Sequence, residues 1–222
     1  MFPLRDTQPS YSRPVITVLL IVINMLVFLY ELWLGPELKN VFEGDYALFP
    51  DHFRFFNVLT SMFLHGGWMH VLGNMWFLWI FGDNIEDILG HGKYLLFYLS
   101  CGVAAGLAQV VINPGSNVPM VGASGAIAGV MGAYMIKFPQ SRILSLIFIV
   151  IFFTTVELPA WIYLIYWFVL NFFSGVGTLG SSQVSQGGTA FFAHVGGFVA
   201  GIVLVNVMVT RERYSRRRDL RW

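Results

Sequence analysis

The sequence predicts an all-α fold, a polytopic membrane bundle of six transmembrane helices, on three observations. Hydrophobic residues make up 56% of the 222 and charged residues only 11%, whereas soluble domains carry about 25% charged residues. Apolar segments recur along the whole chain, most of them near the roughly 20 residues that a hydrocarbon core requires. Lysine and arginine, finally, fall almost entirely on one side of those segments, the asymmetry that orients a multi-pass protein. The chain divides into a cytoplasmic N-terminal segment at 1–14, a membrane domain at 15–209 and a basic cytoplasmic tail at 210–222.

The first span is Val15–Leu34. It reads as a retained helix, because no basic start, short apolar stretch and small-residue cleavage site opens the chain. The second, Met69–Gly82, is short and polar-spotted, yet Trp68, Trp76 and Trp79 suit an embedded helix. The third, Tyr94–Ile112, holds Cys101, the only cysteine; no intrachain disulfide can form, and the thiol reads as a small buried hydrophobe. Met120–Phe138 is the fourth, Ala160–Val176 the fifth and Ala190–Val209 the sixth. A further apolar stretch, Ile143–Val156, is too short for a comfortable crossing, and counting it would put Ser124 and His194 at opposite faces. It reads as an interfacial or re-entrant piece leading into the fifth span.

With six spans, Arg5, Arg13, Lys93, Lys137, Arg142 and the basic tail share one side, and only Lys39 and Arg54 fall opposite. Both termini are therefore expected in the cytoplasm. The tail reads as a topology anchor touching anionic lipid. No nucleic-acid, phosphate-loop or metal-cluster pattern is present, so neither a nucleic-acid partner nor a metal or other cofactor is expected.

This orientation brings three polar groups to one depth near the outer face. Ser124 lies within Gly122-Ala-Ser-Gly-Ala-Ile-Ala-Gly129, about one turn into the fourth span; His194 is one turn into the sixth; His70 and Asn74 stand near the outer end of the second. A serine hydroxyl needs a base to become nucleophilic, and His194 can take its proton and later protonate a leaving amine. Gly125, Gly129 and Gly132 make a small-residue stripe on one helix, and His194, Gly197 and Gly201 share a face of the other, which lets the two backbones approach. No carboxylate lies close by, so the arrangement reads as a dyad whose histidine is held by packing. His70 and Asn74, at i and i+4 on one helix face, can donate to an oxyanion together with the Ser124 backbone N–H. His52, His65 and His91 are assigned no chemistry. A nucleophile elbow of the α/β-hydrolase kind needs G-x-S-x-G between strand and helix, and the glycine directly after Ser124 and the apolar helical flanks do not provide it.

Gly122-Ala-Ser124-Gly125, Ala193-His194-Val-Gly-Gly197 and His70-x-x-x-Asn74, in this order on spans two, four and six, resemble the rhomboid family of intramembrane serine proteases. Thr60-Ser-Met-Phe63-x-His65 and Asn84-Ile-Glu86 fit the same likeness. The resemblance runs from Arg54 to about Gly201. It implies a six-helix rhomboid membrane domain, Ser124 as nucleophile and His194 as base. Asn74, His70 and the Ser124 backbone N–H would form the oxyanion hole, with Gly122 beside it. It further implies endopeptidase action on transmembrane or juxtamembrane segments of other membrane proteins, with a small residue at the cleaved position. Two positions depart from the family: Phe53-Arg54 replaces a Trp-Arg pair, and Ala128 stands where some members stack an aromatic ring on the histidine. The competing readings are a non-catalytic relative that binds transmembrane clients and a small transporter, although no inverted repeat is visible. The Gly66-Gly67 turn and the Gly175–Gly188 loop are candidates for a mobile cap or plain connectors. A compact chain without a transit peptide suggests a prokaryotic plasma membrane. Oligomeric state is not encoded in any motif.

Overall fold

The computed structural model describes residues 1–149, 152–179 and 191–210. Its elements run β1 Phe2–Asp6, α1 Val15–Tyr46, α2 Phe55–Thr60, α3 Trp68–Leu89, α4 His91–Ile112, α5 Ser124–Lys137, β2 Arg142–Ile149, β3 Phe152–Pro159, α6 Ala160–Leu179 and α7 Phe191–Val207. A short 3-10 turn, Ser61–Phe63, leads from α2 toward α3. The six long helices, α1 and α3 to α7, fall on the six apolar segments. Gly35 breaks α1 with φ 75° and ψ 169°, and Pro36 follows it; proline suits a helix start, where its missing N–H is not needed. The apolar part of α1 thus stops at Leu34.

Apolar residues cover the outside of the bundle as well as its core, and the polar groups of α1 and α3 turn inward. On α1 the buried residues are Thr17, Leu20, Asn24, Phe28 and Glu31, while Val18, Leu19, Val22, Leu26, Leu29 and Trp33 face outward. On α3, Asn74, Asn84, Glu86 and Asp87 are buried and Leu72, Trp76 and Trp79 are exposed. Water as solvent would select the reverse; a hydrocarbon surround selects this, because polar groups must find partners within the protein. By length and composition α1 and α4 are each able to cross a membrane.

Helices α5 and α7 form the most extensive packing, with α4 against both. Glycines set their spacing: a methyl group added at Gly197 would strike the carbonyl oxygen of Gly125, and one at Gly201 that of Gly129. The stripe expected from sequence is therefore a backbone-to-backbone contact.

At the opposite end, α3 ties down the start of α1. The buried Glu86 carboxylate accepts the Ile16 and Thr17 backbone N–H groups, each at 2.8 Å, the Thr17 hydroxyl at 2.7 Å and His91 Nδ1–H at 2.6 Å. An anion here satisfies donors that the helix cannot satisfy itself and sits in the favourable field of its N-terminus. Asp87 accepts the Tyr11 N–H at 3.1 Å and the Ser12 hydroxyl at 2.5 Å.

One departure from the all-α expectation concerns residues 2–6, 142–149 and 152–159. These form an antiparallel sheet of order β1-β2-β3, with Phe2 opposite Leu146, Asp6 opposite Ile143 and Arg142 opposite Pro159. The described parts of the apolar stretch Ile143–Val156 are thus two paired antiparallel strands, the second of which runs directly into α6. Its Ile, Phe, Thr and Val content favours a pleated strand over a helix. Nor does the N-terminal segment stand apart from the bundle. Trp76 Nε1–H donates to the Pro3 carbonyl at 2.7 Å and Asn84 Nδ2–H to that of Gln8 at 3.1 Å, so the segment climbs along α3 from Asp87 to Trp76, roughly 16 Å at 1.5 Å per residue. The sheet meets α3 through β1 and α6 through β2 and β3.

Candidate active site

Ser124 is the first residue of α5, not one turn inside a helix. The apolar run begins at Met120, but Met120 pairs with Leu48 as an isolated bridge through two backbone hydrogen bonds of 2.8 and 3.1 Å, and helical geometry starts four residues later. The consequence is chemical. A backbone N–H in the first turn has no intrahelical acceptor, and the helix N-terminus favours negative charge.

His194 stands on α7, 8% exposed, with Nε2 2.7 Å from the Ser124 hydroxyl. The small-residue contact between α5 and α7 produces this approach. On its other side, Nδ1 is 2.7 Å from Oδ1 of Asn171 on α6, a residue that sequence reasoning passed over. The expectation that packing alone holds the imidazole is corrected accordingly. Packing contributes too: the Trp167 ring lies 5.6 Å from the imidazole, tilted by 40°, and supplies the aromatic neighbour that Ala128 cannot.

His70 and Asn74 share the inward face of α3, as their spacing predicts. Gly122 explains how they reach the serine. Its φ of +117° is a conformation that side chains resist, and a Cβ there would lie 2.7 Å from His70 Nε2 and 3.4 Å from Asn74 Nδ2. Glycine keeps open the space where both donors converge. Its own N–H donates to the Ser61 carbonyl at 2.8 Å, so Gly122 contributes room and not a donor.

His65, assigned no chemistry from sequence, is fully buried and touches the site. Its Nδ1–H donates to the Phe63 carbonyl at 3.3 Å, which leaves Nε2 to accept from Asn74 Nδ2 at 3.0 Å. Burial, with His70 nearby, pushes the His65 imidazole down to about 4; it stays neutral and remains an acceptor. Asn74 is thereby turned with its amino group toward His65 and its second N–H free for another acceptor. The His65 backbone is fixed in turn, its N–H donating to Glu31 at 3.2 Å and its carbonyl accepting from Lys39 at 3.3 Å.

Ser124, His194, His70, Asn74 and Gly122 all line one cavity of about 760 Å³. Gly66 also lines it; of the other candidate cap, Gly175–Gly188, residues 175–179 continue α6 and residues 180–188 lie outside the described residues. A hydroxyl with a neutral imidazole behind it, facing amide, imidazole and backbone donors across an open space, can attack a carbonyl carbon and hold the resulting oxyanion. Among the described residues, no three His, Cys, Asp or Glu side chains converge to hold a metal ion.

A family model described as the Rhomboid domain matches residues 52–211. The human presenilin-associated rhomboid-like protein, mitochondrial, is 35% identical over 136 residues, covering 60% of this chain and 35% of that protein. Rhomboid protease GluP of Bacillus subtilis is 33% identical over 128 residues, covering 56% of this chain and 25% of that protein. Rhomboid protein 1, mitochondrial, of Saccharomyces cerevisiae is 26% identical over 206 residues, covering 89% of this chain and 55% of that protein. The chain thus spans about a third of the length of the presenilin-associated relatives it matches. These relatives include mitochondrial proteins, and the expectation of a prokaryotic plasma membrane gains no support from them.

Proposed function

The chain belongs to the rhomboid family, and from that premise we propose that it is an intramembrane serine endopeptidase working through Ser124 and His194. The observation that carries the proposal is the 2.7 Å approach of His194 Nε2 to the Ser124 hydroxyl at the wall of a cavity into which His70 and Asn74 also open. His194 Nε2 takes the hydroxyl proton as Ser124 Oγ attacks the scissile carbonyl carbon. The oxyanion that forms is met by Asn74, His70 and the Ser124 backbone N–H, donors fixed before the reaction begins. As the carbon–nitrogen bond breaks, His194 returns the proton to the leaving amine. Water then gives a proton to His194 while its oxygen attacks the acyl ester, and the Ser124 oxygen leaves, regaining its proton.

Six spans with both termini in the cytoplasm put the cavity near the outer face, following the bias of lysine and arginine. Substrates are transmembrane or juxtamembrane segments of other membrane proteins. A helix hides its amides in i to i−4 bonds, so a cleavable segment unwinds locally before its carbonyl reaches Ser124. Intact Ser124, His194 and donors weigh against a client-binding relative without activity. The test compares wild type and Ser124→Ala, reconstituted in lipid, on a model transmembrane substrate. Cleavage by wild type alone supports the proposal; equal cleavage by both, or none by either, rejects it.

A further inference from the structure

We infer that Asn171 is a positioning residue for His194, turning the dyad into a chain of three side chains backed by a neutral amide; this rests on the serine endopeptidase reading above. Three hydrogen bonds run in series. Asn171 Nδ2–H donates to the carbonyl oxygen of Trp167 at 2.8 Å, one turn back on α6. Oδ1 therefore points at His194 Nδ1, 2.7 Å away. Flipping the amide would set Oδ1 against the Trp167 carbonyl and the amino group against the imidazole, losing one bond to acceptor repulsion. An Oδ1 acceptor requires the imidazole proton on Nδ1, and that leaves the Nε2 lone pair facing the Ser124 hydroxyl at 2.7 Å. The neutral tautomer competent for proton abstraction is the one selected.

Trp167 fixes the ring plane from the same helix, and Phe198 of α7 stacks on Trp167 at 6.2 Å. One turn of α6 therefore governs rotation about both side-chain bonds of His194. An amide differs from a carboxylate in one respect that matters here. It orients the imidazole without adding a full negative charge at membrane depth, where an uncompensated carboxylate is costly. Once the imidazolium forms, the Nδ1–H bond to Oδ1 becomes charge-assisted and strengthens, so the contact favours the transition state over the resting site.

The test uses the full chain in lipid with Asn171→Leu, nearly isosteric and without an acceptor, and Asn171→Asp, which keeps one. Steady-state cleavage of a model transmembrane substrate and the rate of fluorophosphonate labelling at Ser124 are both followed against pH. The inference expects Leu to lower kcat about 10²-fold or more with KM within twofold, since disturbing the tautomer of a catalytic histidine elsewhere costs up to about 10⁴-fold. Asp is expected to retain activity, with the acid limb of its profile moved to higher pH by the added charge. Leu within twofold of wild type in kcat, or Leu and Asp equally impaired with unchanged pH profiles, overturns the role of Asn171 while leaving the endopeptidase reading intact. A wild type that neither cuts nor labels at Ser124 overturns both.

Discussion

The two ends of the bundle treat polar groups in opposite ways. At the α1 start, Glu86 and Asp87 spend their oxygens on backbone N–H groups and hydroxyls of the same chain, and the N-terminal segment is stitched to α3. At the Ser124 end the groups aimed at the reacting position are a hydroxyl, imidazoles and amides, each held from behind and open in front, and the nearby Glu31 and Lys39 bind the His65 backbone instead. Asn74 is held by His65 and His194 by Asn171, while the front of each faces the cavity. A closed set of carboxylate bonds gives rigidity and no chemistry. Donors supported on one side only give a site that an incoming charge completes.

If that contrast is right, substitutions at the two ends fail differently. The largest effect belongs to Ser124→Ala and His194→Ala, expected to bring substrate cleavage to background with an unchanged melting temperature. Asn74→Ala removes one oxyanion donor and lowers kcat by about 10²–10³, again with the fold intact; a loss of stability as large as the loss of rate would erase the contrast. Gly201→Ala is expected to force α5 and α7 apart, costing about 1–3 kcal/mol as overpacking does and lengthening the Ser124–His194 approach, so both readouts fall. Glu86→Gln acts at the other end: thermal unfolding in detergent should reveal a loss of about 1.5–3 kcal/mol, typical of hydrogen bonds to a charged group, while kcat at permissive temperature holds.

The smallest effects are in pH, and their signs differ between the ends. Burial raises the Asp6 carboxyl, which receives a hydrogen bond from Tyr134, from 3.8 to about 6. A raised acid favours the folded state below its unfolded value and loses that contribution as pH climbs through about 6. Hydrogen-exchange protection at β1, corrected for the intrinsic rise of exchange with pH, should therefore fall between about pH 4 and 6. His65 is lowered, from 6.5 to about 4. Its contribution is complete above 6.5 and is lost as pH falls through about 4, where protonation removes the acceptor that turns Asn74. Activity is expected to fall below pH 4.5 in wild type for this reason, less so in His65→Gln. A reversed sign at either position would contradict the account.

Much of this was legible in the chain. Ser124, His194, His70 and Asn74 stood out as candidates because polar groups in apolar segments are expensive, and the spacing of His70 and Asn74 put those two on one helix face. The glycine stripes gave the α5–α7 approach. What escaped had physical reasons. Asn171 lies alone among Trp167, Phe168, Phe172 and Phe173, 23 residues from its partner, and no local spacing links the two; its signal was merely an amide in an apolar helix. His65 sits in a loop, where histidine is ordinary, although its nine-residue offset from Asn74 was there to be read. The strand pair β2–β3 failed on periodicity, since a short fully apolar run does not distinguish strand from helix. Strand β1 was illegible because its partner lies more than 130 residues away. Gly122 was expected beside the oxyanion donors, and only coordinates reveal that its own N–H is already engaged and that its missing side chain leaves them room.

The most direct measurement is the site of fluorophosphonate attachment in the lipid-reconstituted chain, read by peptide mass spectrometry in wild type and His194→Ala. The account predicts an adduct on Ser124 in wild type that is lost, or slowed by orders of magnitude, without the histidine. An adduct on another residue, or labelling of Ser124 that ignores His194, would contradict it.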